Sequence, residues 1–188
     1  MQTSNEIINE ITNSIKLISL DVGFSYLDIP DFSIADDGKS LAINKKDKSE
    51  KYCSISEIIS PQITFTVMTI FSKQSAYNIL KTKYPVIENR DEIQVSLDIV
   101  REYVNILAGS FMSHFKYPEK FTISGPPSLI SADSIILEPS ALIASWFLVN
   151  EDKGILLHPS LLCYNRISEE IFGKIILHKN QSNEIEIF

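Results

Sequence analysis

Apolar residues recur along this chain with two distinct periods. Ile8, Ile11, Ile15 and Ile18 return at helical spacing, with Thr3 or Ser4 available as an N-cap and Gly23 a few residues beyond, which predicts an amphipathic helix over 5–20. Farther on the period drops to two. Ile63, Phe65 and Val67 alternate with Thr64, Thr66 and Met68 inside a β-branched and aromatic stretch over 54–71. That is the pattern of a half-buried strand, read as the second arm of a hairpin that turns near Ser60-Pro61.

A short helix is expected over Lys73–Lys83 and a long one from Asn89 to about Tyr117, with Asn89 or Asp91 near its start and Pro118 just past its end. Strand-like runs follow at 121–124, 129–137, 141–150 and 154–165. The last two are joined by Asn150-Glu151-Asp152-Lys153-Gly154, whose closing glycine marks a hairpin. Asp36-Asp37-Gly38 and the Lys/Asp run from Lys45 to Lys51 mark 31–51 as a solvated loop around a short strand at 41–44. After Arg166 the pattern weakens, with 175–178 and 184–188 as short edge-strand candidates. Without repeats or low-complexity tracts, the expectation is a single domain over 1–188 of the α+β class, a mixed α/β sandwich with helices on a largely antiparallel sheet.

Composition narrows the function classes. The 188 residues are 44% apolar, enough for a sizeable core, and the net charge of −7 with a pI near 5.0 disfavours nucleic acid and anionic membranes as partners. The first residues show neither the cationic nor the apolar part of a secretory signal. The most apolar later stretch, 134–149, holds Glu138 and Pro139 and is too short to span a bilayer. Cys53 and Cys163 stand far apart without a CxxC spacing, so reduced thiols in a cytoplasmic, soluble protein are expected. His114, His158 and His178 are scattered without metal-ligand spacing, and Trp146 beside Phe147 reads as core or interface packing.

The long helix carries the candidate chemistry. Ile93, Leu97, Val100, Val104, Leu107 and Phe111 fall on one stripe, which is expected to face the core. Projected at about 100° per residue, Asp98, Glu102, Asn105 and Gly109 gather near the opposite pole. Polar residues on a solvent face are ordinary, but Gly109 costs a helix interior about 0.5–1 kcal/mol relative to Ala and lets another surface approach closely. Ile99 and Ile106 on one side and Met112 on the other give the polar centre a partly apolar border, which suits a docking surface or simply widens the core stripe.

These residues resemble the signature of the CheC/CheX/FliY chemotaxis phosphatases: Asp or Ser, three residues, Glu, two residues, Asn, and a proline at a set distance. Asp98, Glu102 and Asn105 match, Pro127 stands one residue short of that distance, and Asn105-Ile-Leu-Ala-Gly109 and Gly125-Pro-Pro-Ser128 look like the segments that follow in the family. The resemblance implies a CheC-like fold and removal of the phosphoryl group from the aspartate of a phosphorylated CheY-like response regulator. Asn105 would orient the attacking water, Glu102 would pair with a lysine of the partner, and Asp98 would be a supporting charge. The chain would need no cofactor of its own, because the Mg²⁺ of such a scheme sits on the response regulator. Glu6-Ile-Ile-Asn9 and Glu10-Ile-Thr-Asn13 lack the rest of the pattern, so the single-site CheX type is the nearest match, with a homodimer through sheet edges as a further expectation. The rival is a module that keeps the fold and binds a response regulator or another signalling protein without turnover.

Overall fold

In the computed structural model the described residues are 4–36, 50–86, 91–116, 120–135, 139–164 and 176–177. Helix α1 (Ser4–Ser25) is followed by strands β1 (Ser33–Asp36), β2 (Lys51–Ile59) and β3 (Thr64–Ser72), then helices α2 (Lys73–Lys83) and α3 (Glu92–Ser113). Six more strands follow among the described residues: β4 (Phe115–Lys116), β5 (Thr122–Ile123), β6 (Ser128–Ser131), β7 (Leu142–Asn150), β8 (Ile155–Tyr164) and β9 (Ile176–Leu177). Three helices pack on a seven-stranded antiparallel sheet, so the α+β expectation holds.

The sheet runs β1-β7-β8-β3-β2, and the far edge of β2 is shared by two short strands, β5 beside Ile58–Ile59 and β6 beside Tyr52–Ile55. Gly125, Pro126 and Pro127 separate those two. Neither proline has an N–H for a ladder, and Gly125 takes φ of +149°, so the edge breaks there and resumes. The β2–β3 hairpin turns where the sequence placed it, with Ser60 Oγ accepting from Ile63 N at 3.0 Å. In the β7–β8 turn Gly154 has φ of +60° and Lys153 N donates to Asn150 Oδ1 at 2.9 Å.

Four expectations are corrected. Helix α1 continues through Gly23 to Ser25, because Gly23 is used there for close packing: a Cβ would meet the Phe32 ring at 2.8 Å. A strand appears at Ser33–Asp36, paired with β7, inside what reads as loop, while the proposed strand at 41–44 lies outside the described residues. The run from 129 leaves the sheet after Ser131 for a 3-10 turn at Ala132–Ser134. Ile176–Leu177 pairs with β4 in a separate two-stranded ladder, not on the main sheet; the rest of 166–188 lies outside the described residues, as do Thr3, Asn89, Pro118 and His178.

The helices share one face of the sheet. Ile11, Ile15, Leu97, Val100, Val104, Leu107 and Phe111 meet Phe65, Val67, Trp146, Leu148, Leu157 and Leu161 in the main core. A smaller cluster of Cys53, Met68, Ile70, Leu142 and Leu162 covers part of the other face, and burial pushes the Cys53 thiol up to about 12, which keeps it protonated at physiological pH. Buried Ser19 ties the layers together: its Oγ accepts from Trp146 Nε1 at 3.0 Å and its carbonyl accepts from the Tyr103 hydroxyl at 3.4 Å. Tyr103 precedes Val104 on α3, so this tie helps fix the roll of that helix and with it the direction in which Glu102 points.

Candidate functional site

Helix α3 begins at Glu92 after its N-cap Asp91, whose carbonyl accepts from Val95 N at 3.0 Å, and runs between α1 and α2 across β2 and β3. Leu97, Val100, Val104, Leu107 and Phe111 face the core as the periodicity requires. Ile93 does not: in the first turn, short of the sheet's cover, it is 48% exposed. Ile99 is buried, and Ile106 and Met112 are half-buried against the core, so these flanks widen the apolar stripe while bordering the polar face.

The polar quartet is brought together at the surface. Glu102 is exposed, and Asp98, Asn105 and Gly109 are half-buried. Asn105 Nδ2 donates to both carboxylate oxygens of Glu102, at 3.3 and 3.4 Å, which links the two side chains one turn apart. Those distances are at the long end for a hydrogen bond, so a better acceptor displaces the contact at little cost. Asp98 is engaged with Arg101 at 3.5 Å, an ion pair too poorly aligned to count as a hydrogen bond. It therefore adds less free charge to the face than the sequence indicates.

Gly109 lies over β5. A Cβ built there meets only Ile123 Cδ1, at 3.9 Å, an ordinary contact. Packing among the described residues therefore does not require glycine at this position. Gly109→Ala is expected to stabilise the fold by about 0.5–1 kcal/mol through helix propensity, raising the melting temperature by roughly 1–4 °C in a thermal scan; a lower melting temperature would show an internal need for glycine.

Sequence reasoning missed a cluster at the ends of the other two helices, where Tyr26 just after α1, Lys83 at the end of α2 and Tyr84, which caps α2, gather. The Lys83 ammonium donates to the Tyr26 carbonyl and stands 4.2 Å from the Tyr26 ring centroid and 5.9 Å from that of Tyr84. Burial chiefly, then the Glu102 carboxylate, then Tyr84, raise the Tyr26 hydroxyl above its ordinary value. The only signal in the sequence was a pair of tyrosines just past two helical periods.

Among the described residues no three His, Cys, Asp or Glu side chains gather as a metal site would need, and no helix is long and apolar enough to cross a membrane. His158 is buried on β8 with Nε2 at 2.7 Å from Ser145 Oγ, and His114 Nδ1 lies 2.7 Å from the Ser110 carbonyl.

By sequence the chain matches no protein-family model and no curated protein. Solved structures do match. A chain of the CheX–CheY–BeF3–Mg²⁺ complex from Borrelia burgdorferi superposes with a TM-score of 0.65 at 13% identity, over 80% of this chain and 96% of that one. The fold is of the CheC/CheX type. The chemotaxis protein CheX from Vibrio vulnificus gives a TM-score of 0.58 at 12% identity, covering 82% of this chain and 99% of that one. A CheC-like protein from Shewanella sp. PV-4 gives 0.55 at 10% identity, with 81% and 96% covered. At such identities the CheX-like likeness is one of architecture, and the side chains on α3 must be judged by their own geometry.

Proposed function

We propose that this chain removes the phosphoryl group from the aspartyl phosphate of a CheY-like response regulator, with α3 as the face that meets it. The observation that supports the reading most is the adjacent Glu102–Asn105 pair on the surface of a CheX-like fold, in the spacing that resembles the phosphatase signature. The neighbouring CheX is recorded in complex with CheY, BeF3 and Mg²⁺.

An acyl phosphate is intrinsically labile, so positioning supplies most of what a catalyst must add. The carboxamide of Asn105 has an acceptor oxygen and a donor nitrogen. Its oxygen accepts a hydrogen bond from a water and so aims that water's lone pair at phosphorus, in line with the bond to the aspartate; the water's protons leave with the phosphate. A new P–O bond forms as the bond to the aspartyl oxygen breaks, giving inorganic phosphate and a free carboxylate. Glu102, released from Asn105 as the partner arrives, pairs with a lysine of the response regulator and sets the register. Asp98, Gly109, Ile106 and Met112 border the contact. Mg²⁺, where used, belongs to the partner. The cytoplasmic setting and pairing of two copies through sheet edges belong to the same reading, though the chemistry needs neither.

Glu102→Ala tests the docking role. Its KM for the phosphorylated receiver is expected to rise about tenfold, the loss of one charge-assisted contact at an interface, with a smaller change in kcat. An unchanged KM would remove Glu102 from the contact. Association of the wild-type chain with the receiver in the absence of any turnover would instead identify a binding module.

A further inference from the structure

The charged side chains of α2 and α3 are almost all matched within the chain. Lys73 pairs with Glu50 at 3.3 Å, Lys81 with Glu92 at 2.9 Å, and Asp98 with Arg101 at 3.5 Å. Lys83 and Glu102 are the exceptions on these two helices, and neither has an ion-pair partner among the described residues. They are of opposite sign, and the Tyr26 ring on which Lys83 is seated carries a hydroxyl within electrostatic reach of the Glu102 carboxylate, yet the two charges do not pair with one another.

Lys83 is held in place. Its ammonium is fixed by the Tyr26 carbonyl and by the rings of Tyr26 and Tyr84, so a flexible side chain is ordered before any partner arrives. Holding a long cation in one geometry costs side-chain entropy, which the carbonyl and ring contacts offset. Tyr84, 46% exposed, extends the same rim with an aromatic surface.

We propose that Lys83, seated on Tyr26 and Tyr84, is a second docking pole for the same CheY-like receiver, engaging a carboxylate on that receiver's surface while Glu102 engages a cation. This rests on the function proposed above. One charge contact leaves a partner free to rotate about it; two of opposite sign fix its rotation and reject partners with the reverse pattern. The docking surface thus spans the ends of α1 and α2 as well as α3.

The test is titration of the full chain with a receiver from the same cell, charged with beryllofluoride, alongside steady-state dephosphorylation. Lys83→Glu is expected to raise the dissociation constant at least tenfold, more so at low salt, with the turnover defect in KM and not in kcat. Lys83→Arg, which keeps the charge, should restore binding to within about threefold of wild type. Reversing the matching receiver carboxylate to lysine should recover part of the affinity of Lys83→Glu. Binding of Lys83→Glu within twofold of wild type, with its melting temperature also unchanged, overturns the inference and leaves the phosphatase reading standing. Lys83-dependent binding without turnover by the wild type supports the inference and removes the phosphatase reading. No binding by the folded wild-type chain overturns both.

Discussion

Asn105→Ala loses at least about 100-fold in the rate of aspartyl-phosphate hydrolysis, the usual consequence of removing one positioned polar group from a reaction that depends on orientation. The variant should still fold and still bind. Asn105 is half-buried, its carboxamide bonds only the exposed Glu102 side chain among the described residues, and no core contact depends on it. An alanine there also favours the helix. Far-ultraviolet circular dichroism and affinity for a beryllofluoride-charged receiver should match wild type while turnover falls. Had Asn105 acted as a docking residue, affinity would fall with rate; had it been an ordinary surface residue, neither would.

Trp146→Ala is expected to lower the unfolding free energy by about 3–5 kcal/mol, the range for removing a large buried aromatic side chain. Trp146 is fully buried under the helices, and its indole N–H is the donor to Ser19 Oγ. For a domain whose whole stability is about 5–15 kcal/mol, that loss approaches unfolding, and a denaturant titration reads it directly. Trp146→Phe separates the parts: it keeps most of the packing and forfeits the hydrogen bond, for a smaller loss. Because Ser19 also accepts from Tyr103, the neighbour of Glu102, either change is expected to loosen the roll of α3 and reach the site indirectly. A loss under about 1.5 kcal/mol for Trp146→Ala, typical of a tolerated core swap, would contradict the assignment of this residue to the centre of the fold.

The main elements were legible because their periods are strong. Leu97 through Phe111 repeat so regularly that the core face of α3, and hence the opposite polar face, follow from the spacing alone. The hairpin at Ser60 and the turn at Gly154 were equally plain, one set by proline and serine chemistry and the other by a glycine at positive φ. Boundaries were less so. Gly23 resembles a helix terminus in sequence, but its lack of a side chain serves the approach of Phe32, a tertiary reason that no local pattern contains. Strand β1 is four residues, too short for alternation to register, and exists because β7 offers it a partner.

The site divides in the same way. Asp98, Glu102, Asn105 and Gly109 could be grouped because they share one helix, where sequence spacing is distance. Tyr26, Lys83 and Tyr84 could not, since they come from the ends of two other helices and gather only after those helices pack, with the Tyr26 hydroxyl then in electrostatic reach of Glu102. Spacing also misjudged charge: Asp98 looks free on a helical projection, but Arg101 beside it takes up its carboxylate.

Whether Asn105 of this fold speeds hydrolysis of a receiver's aspartyl phosphate is read by a single-turnover assay. A phosphorylated CheY-like receiver from the same cell is mixed with a stoichiometric amount of the chain, and phosphate release is followed in time. Release is expected to be at least about 100-fold faster than from the receiver alone, with Asn105→Ala tracing the curve of the receiver alone. Wild-type traces that overlay the receiver alone for every receiver of that cell, or an Asn105→Ala variant as fast as wild type, would contradict it.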